Sequence, residues 1–148
     1  MPDRNQAALD FLLTRRSRPA KTLTGPIPNA EELQVILTAA ARTPDHGKLE
    51  PWRFIVLEKA ALARLAEAVR ARGAALNIEP EKIEKAVAQF ASADLVVAVI
   101  SSPKLSDKVP QIEQVYSAGA VCNAMVNAAL ASGWGANWLS GWMSHDRR

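Results

Sequence analysis

The chain has 148 residues, 49% of them hydrophobic, a length that suits a single globular domain with its own core. Its net charge of +3 and pI near 9.3 fall short of the dense basic surface of a nucleic-acid-binding protein. The single cysteine excludes an intramolecular disulfide, the polar N-terminus lacks a signal core, and no apolar run is long enough to span a membrane. We therefore expect a soluble, cytoplasmic protein with no membrane or nucleic-acid partner.

Two amphipathic helices are predicted in the first quarter of the chain. Good helix formers with one apolar face occupy Gln6–Thr14, and a second helix is expected over Ala30–Ala41, where Asn29 and Glu32 have the spacing of a capping box. Between them, residues 15–18 read Arg-Arg-Ser-Arg at the exit of the first helix. This cluster is either a grip for a phosphate, since guanidinium groups offer forked donors, or an ordinary solvated basic surface.

The loop at residues 42–52, Arg-Thr-Pro-Asp-His-Gly-Lys-Leu-Glu-Pro-Trp, follows the second helix. Two prolines and a glycine exclude regular structure there. The loop nevertheless carries a guanidinium, a carboxylate, an imidazole and an ammonium group. Such a segment is either a binding loop held between a helix and a strand, or a solvated linker.

The middle of the chain alternates strands and helices. A short β-rich run predicts a strand at Arg53–Leu57, and helical patterns follow at Lys59–Ala75 and at 80–90, where Pro80 suits a first turn. The continuous apolar run Leu95–Ile100 predicts a strand covered on both faces. These elements indicate an α/β or α+β protein.

The longest helix is predicted at 111–132, rich in alanine and with apolar residues nearly all round it. We therefore place it in the core or across a subunit boundary, with Cys122 and Met125 as packing residues. Gly133 is the expected residue after its C-cap, and Gly135–Trp142 is predicted to be a strand entering a glycine turn.

Common catalytic motifs are missing from the sequence. It has no G-x-G-x-x-G and no phosphate-loop lysine motif, and its two histidines are too few for a histidine-rich metal site. A Ser-His-Asp triad has no distinctive spacing to support it. We therefore predict no metal and no classical acid–base constellation.

Three stretches taken together resemble the nitroreductase family of FMN-dependent oxidoreductases, in particular its small single-domain bacterial branch. They are Leu-Thr-Arg-Arg-Ser at 13–17, Ala-Arg-Thr-Pro-Asp-His-Gly-Lys at 41–48 with Pro-Trp-Arg-Phe at 51–54, and Ser-Ala-Gly-Ala at 117–120 continuing to Gly-Ala-Asn-Trp-Leu-Ser-Gly at 135–141. Each is weak alone, but their order and spacing cover nearly the whole chain. The resemblance favours the phosphate grip over the solvated cluster at residues 15–18.

The resemblance implies an α+β fold, a three-layer α-β-α sandwich whose central sheet has helices on both faces, formed by residues 1–148 as one domain in a homodimer. It also implies FMN as cofactor, NAD(P)H as reductant, and a nitroaromatic, quinone or enone-type acceptor in a two-step exchange mechanism. FMN carries the hydride chemistry, so no catalytic side chain is expected.

The resemblance further assigns site residues across two subunits. One subunit is expected to supply Arg15, Arg16, Ser17, Trp138, Leu139 and Ser140 to the flavin, and the other Arg42 and His46. The family associates nicotinamide nucleotide with the end of the long helix, here Ala128, Ala129, Leu130, Ala131, Ser132 and Gly133.

Two features depart from the family pattern. Many relatives have a basic residue two positions after the serine, where this chain has Pro19, with Arg18 and Lys21 as possible substitutes. The chain also ends soon after the Ser-Gly turn, without the family's C-terminal helix and strand, so either further residues follow or flavin binding is weakened. The alternative function is a non-catalytic FMN- or nucleotide-binding homodimer.

Overall fold

The computed structural model describes residues 3–146, which contain five α-helices and two β-strands. In chain order they are α1 (Gln6–Thr14), α2 (Ala30–Ala40), β1 (Trp52–Glu58), α3 (Lys59–Ala75), α4 (Pro80–Ala91), β2 (Leu95–Ser101) and α5 (Gln111–Ala131). Short 3₁₀ turns lie at Ala20–Thr22, His46–Lys48 and Trp142–Ser144. The predicted α+β class is confirmed, and all five helices begin at the predicted residue.

The helix ends follow from local sequence signals. The side chain of Asn29 accepts from the backbone N–H of Glu32 at 3.0 Å, while the Glu32 carboxylate accepts from the N–H of Asn29 at 2.9 Å, completing the predicted capping box of α2. At the end of α5, Gly133 has a φ of +85° and its N–H donates to Leu130, while the N–H of Trp134 donates to Ala129. This pair of bonds is a Schellman motif, so Gly133 ends α5 as predicted.

The sheet in the described chain consists of β1 and β2, which pair antiparallel from Trp52 opposite Ser101 to Glu58 opposite Leu95. Both strands were predicted. The prediction that the second strand is covered on both faces is wrong for this chain, because the residues of β2 up to Ile100 are only half-buried. The rest of the described chain therefore covers this long apolar run only in part.

The predicted third strand at Gly135–Trp142 is also wrong. Residues 135–141 have no regular structure, and a 3₁₀ turn begins at Trp142. A strand needs a ladder of backbone partners, whereas this segment has a single backbone bond to another part of the described chain, from the N–H of Arg18 to the carbonyl of Ala136 at 3.0 Å; its other backbone bonds are local turns at Gly141 and Trp142. It lies as an extended segment against the loop that follows α1.

Two helix pairs form the core. The first is α3 against α4, whose buried residues are Ala66, Val69, Ile83, Ala86 and Val87, with Trp142 and Met143 packed beside them. The second is α2 against α5, with Ile36, Ala40, Ala118 and Val121 buried. The guanidinium of Arg72 donates two hydrogen bonds, at 2.7 and 2.9 Å, to the carboxylate of Asp146, which fixes the end of the described chain on α3.

One side of α5 is open within the described chain, so the helix is not wholly in the core, the first of the two predicted placements. Ile112, Val115 and Tyr116 are 53%, 43% and 68% exposed. A Cβ atom placed on Gly119 would meet nothing within 4 Å. Neither α5 nor any other helix between residues 3 and 146 combines the length and apolarity needed to cross a membrane. The central helix thus packs on α2 with one face and exposes a face of small and apolar residues.

Candidate functional site

The Arg-Arg-Ser stretch and the C-terminal segment, far apart in sequence, lie together. The N–H of Arg18 donates to Ala136, and the side-chain amide of Asn137 donates back to the carbonyl of Arg18. Gly135 permits this approach, because a Cβ atom there would lie 2.7 Å from a methyl group of Leu23. The contacts of Arg18 with Ala136 and Asn137 therefore join the segment of the Arg-Arg-Ser stretch to the C-terminal segment. We call the predicted flavin residues of these two segments the N-terminal site: Arg15, Arg16, Ser17, Trp138, Leu139 and Ser140.

The cationic part of the N-terminal site is internally organised. Nη2 of Arg15 donates to the Ser17 hydroxyl at 3.0 Å, and Nη1 of Arg16 donates to the carbonyl of Arg15 at 2.9 Å. Nε of Arg15 is buried and has no hydrogen-bond partner among residues 3–146. A buried donor without a partner is costly, so this atom is poised for an acceptor oxygen. Two guanidinium groups and a hydroxyl suit a phosphate or a polyhydroxyl chain.

The apolar part of the N-terminal site is exposed. Trp138 and Leu139 are 53% and 48% exposed, although both are large apolar side chains. Ser140 follows them with an exposed hydroxyl. An indole and an aliphatic side chain beside a hydroxyl suit the flat apolar body and polar edge of an aromatic heterocycle.

The loop before β1 has an unusual backbone. Gly47, Lys48 and Glu50 have φ angles of +75°, +52° and +47°, a region that non-glycine residues rarely adopt. The carboxylate of Asp45 stabilises this path by accepting from the N–H of Glu50 at 2.7 Å. Positive φ at two non-glycine residues in one loop is typical of functional sites, which supports the binding-loop interpretation over the linker.

His46 lies in this loop and faces α5. Its Nδ1 is 2.7 Å from Oε2 of Glu113. The pair borders an open cavity of about 360 Å³. The lining residues come from the loop and from one face of α5: Pro44, Asp45, His46, Glu113, Tyr116, Ser117 and Ala120. We call this the His46 cavity.

Two further contacts hold the loop and α5 in register. The hydroxyl of Ser117 donates to the carbonyl of Pro44 at 2.7 Å. Gln114, which is only 2% exposed, pairs with the backbone of Lys104 through bonds of 2.7 and 2.9 Å and thereby holds the segment before α5. Val109, at the other end of that segment, lies against the loop. A Cβ atom added to Gly47 would be 3.2 Å from a methyl carbon of Val109.

Sequence reasoning missed the α5 side of the His46 cavity. Glu113, Tyr116, Ser117 and Ala120 follow the i, i+3, i+4, i+7 spacing of one helix face, and that spacing was the available signal. Apolar and small residues lie nearly all round this helix in the sequence pattern, so the face that these four residues share does not stand out.

No residue of the N-terminal site lines the His46 cavity. No hydrogen bond or ion pair of the described residues joins Arg42 or His46 to the N-terminal site. The guanidinium of Arg42 is exposed after α2. The predicted nicotinamide residues form the end of α5 and its cap, where the Ser132 hydroxyl donates to Ala128 at 2.9 Å, and none of them lines the His46 cavity.

No cluster of three or more potential metal ligands occurs within residues 3–146.

Comparison with known proteins identifies the family of this chain. The sequence model of the nitroreductase family matches residues 12–147. "Putative NAD(P)H nitroreductase" of Haemophilus influenzae is 41% identical over 129 residues, which is 86% of this chain and 68% of that protein. "Putative NAD(P)H nitroreductase YdjA" of Escherichia coli K12 is 38% identical over 128 residues, 86% of this chain and 69% of that protein.

The fold has a solved counterpart. The crystal structure of a nitroreductase-like family protein from Bacillus cereus matches with a TM-score of 0.74 and 20% identity, covering 99% of this chain and 76% of that one. The fold is therefore nitroreductase-like, as predicted. With a family match across nearly the whole sequence and relatives near 40% identity, the chain belongs to the nitroreductase family.

Proposed function

We propose that this protein is an FMN-dependent oxidoreductase that takes hydride from NAD(P)H and reduces a nitroaromatic, quinone or enone-type acceptor. Membership of the nitroreductase family and the names of the two bacterial relatives support NAD(P)H-dependent oxidoreduction. The observation that supports the proposal is the pair of contacts from Arg18 to Ala136 and Asn137, which join the segment of the arginine pair and serine to the segment of an exposed indole and leucine.

The residues of the N-terminal site fit FMN. The buried, unpartnered Nε of Arg15 and the exposed guanidinium of Arg16 are donors for phosphate oxygens, and the Ser17 hydroxyl suits the ribityl chain. Trp138 and Leu139 offer the apolar wall that an isoalloxazine ring needs. Bound there, FMN would supply the hydride chemistry, so the proposal requires no catalytic side chain.

On this proposal the protein side chains bind the flavin and orient it. We expect Arg42 to place a permanent positive charge near the pyrimidine edge of the flavin, where negative charge develops on reduction. His46 provides a second polar contact at that edge. The exposed hydroxyl of Ser140 is expected to donate to a ring heteroatom.

We propose further that the working unit is a homodimer with two shared sites. Within residues 3–146 no hydrogen bond or ion pair joins the two groups of predicted flavin residues, and the side chain of His46 and the residues Trp138 and Leu139 are 61%, 53% and 48% exposed. The open face of α5, with Ile112, Tyr116 and Gly119, offers the small and apolar surface that a second subunit needs for close packing. On this proposal each flavin contacts the N-terminal site of one subunit and the loop of the other.

Replacing Arg16 by alanine tests the flavin assignment. Losing one charge-assisted contact to phosphate typically lowers affinity by about 10- to 150-fold. FMN titration of the purified full chain, followed by quenching of flavin fluorescence, measures the dissociation constant directly.

Arg64→Ala is the matched control, because it removes the same charge from the exposed surface of α3, where Arg64 contacts only the backbone of Ala60 among the hydrogen bonds of the described chain. We expect its affinity for FMN to equal that of the wild type. An Arg16→Ala protein that is folded and binds FMN as tightly as the wild type would remove the basis of the proposal.

A further inference from the structure

The hydrogen bond between His46 and Glu113 joins the loop before β1 to α5, and further contacts hold both elements. On one side, the loop is held by the Asp45 carboxylate on the N–H of Glu50 and by the Ser117 hydroxyl on Pro44. On the other, Glu113 lies in the first turn of α5, a 21-residue helix packed on α2. These contacts hold the backbones that carry His46 and Glu113 in register, and the two side chains then meet at 2.7 Å between Nδ1 and Oε2.

This contact decides which ring nitrogen a ligand meets. A carboxylate is an acceptor only, so Nδ1 of His46 must carry the proton in the bond to Glu113. In the neutral ring Nε2 is then an acceptor. Nε2 has no hydrogen-bond partner in the described part of the chain, and the ring borders the cavity between the loop and α5.

We propose that Glu113 is a positioning residue that fixes the Nδ1–H tautomer and the ring orientation of His46, so that Nε2 accepts a hydrogen bond from an N–H or O–H group of the bound ligand. This inference rests on the proposed function, in which the ligand is the polar edge of FMN. It also divides two roles at that edge: Arg42 supplies charge, and His46 supplies an acceptor. Glu113 itself acts only through His46.

The alternative is a surface ion pair without functional consequence. The side chains of His46 and Glu113 are 61% and 45% exposed, and exposed pairs contribute little to stability. In that case Glu113 would have no effect on the tautomer of His46 or on ligand affinity. The two interpretations therefore differ in observables other than stability.

The first measurement is the ¹⁵N spectrum of the histidine rings in the flavin-free protein at about pH 8, where an unperturbed imidazole is neutral. The chain has two histidines, and the exposed His145 serves as an internal reference, assigned with a His145→Asn variant. We expect His46 to be protonated at Nδ1 alone. Glu113→Gln should keep this tautomer, because an amide oxygen also accepts from Nδ1–H, whereas Glu113→Ala should shift His46 toward the pattern of His145.

The second measurement is FMN affinity in a double-mutant cycle. Because one neutral hydrogen bond is involved, Glu113→Ala should weaken FMN binding by about 2- to 13-fold, and Glu113→Gln by less than about twofold. In a His46→Ala background, Glu113→Ala should have no further effect.

Several results would overturn the inference. These are a wild-type His46 with the same tautomer as His145, a ring protonated at both nitrogens at this pH, a Glu113→Ala protein with an unchanged ring, or equal Glu113→Ala effects with and without His46. The spectrum is recorded without flavin and therefore tests the tautomer of His46 by itself. Failure of the protein to bind FMN would count against the proposed function and not against the tautomer.

Discussion

Replacing Gly119 by leucine is expected to weaken the proposed dimer while leaving the fold of the subunit intact. Within one chain a Cβ atom at Gly119 meets nothing within 4 Å, and leucine is a better helix former than glycine by up to about 1 kcal/mol. The isolated subunit should therefore be no less stable. Across a close interface the same side chain overpacks by about 1–3 kcal/mol, which raises the dimer dissociation constant about 5- to 150-fold.

Sedimentation of a dilution series gives the dissociation constant, and circular dichroism shows whether the helices are retained. Ala68→Leu is the control, because Ala68 is exposed on α3, outside the open face of α5. A Gly119→Leu protein that dimerises with wild-type affinity would contradict the placement of α5 at the interface.

Mixing two defective proteins is expected to restore flavin binding. Take one homodimer with Arg16→Ala and another with Arg42→Ala and His46→Ala in the same chain; each has lesions at both of its sites. If the sites are shared as proposed, a mixed dimer has one site with every lesion and one site with none. That intact site should bind FMN with wild-type affinity, about 10- to 150-fold tighter than either parent.

The experiment requires unfolding and refolding the two chains together with different affinity tags, so that the mixed species is isolated before the titration. Each parent refolded alone is the control. If Arg16, Arg42 and His46 instead serve a site within one chain, every site of the mixed dimer keeps a lesion. A verified mixed dimer without a high-affinity site would defeat the shared arrangement.

Local signals in the sequence were sufficient to predict the helices. The capping box at Asn29, proline at the start of α4 and Gly133 after α5 each act within a few residues of the feature they define. The strand at Gly135–Trp142 could not be judged in this way. A strand depends on a partner elsewhere in the chain, and here the neighbour is an irregular loop that offers Arg18 alone to the backbone of Ala136.

The candidate site was likewise predictable only where its signals are local in the sequence. The residue types in the loop after α2 indicated a binding site, and His46 does border a cavity. Its partner Glu113 lies 67 residues away in sequence, and no local pattern connects the two. The assignments of individual residues to FMN and to nicotinamide nucleotide remain predictions that follow from family resemblance.

Anaerobic reduction of the flavin-loaded protein most directly tests whether this member of the nitroreductase family is an oxidoreductase. After loading with FMN, the protein should be yellow, and NADPH or NADH should bleach its visible absorbance faster than that of free FMN at the same concentration. Adding a quinone or a nitroaromatic compound without oxygen should then restore the yellow colour. Protein that binds FMN but stays yellow with both nucleotides would be a flavin-binding protein without this activity, and protein that takes up no FMN would contradict the proposed function altogether.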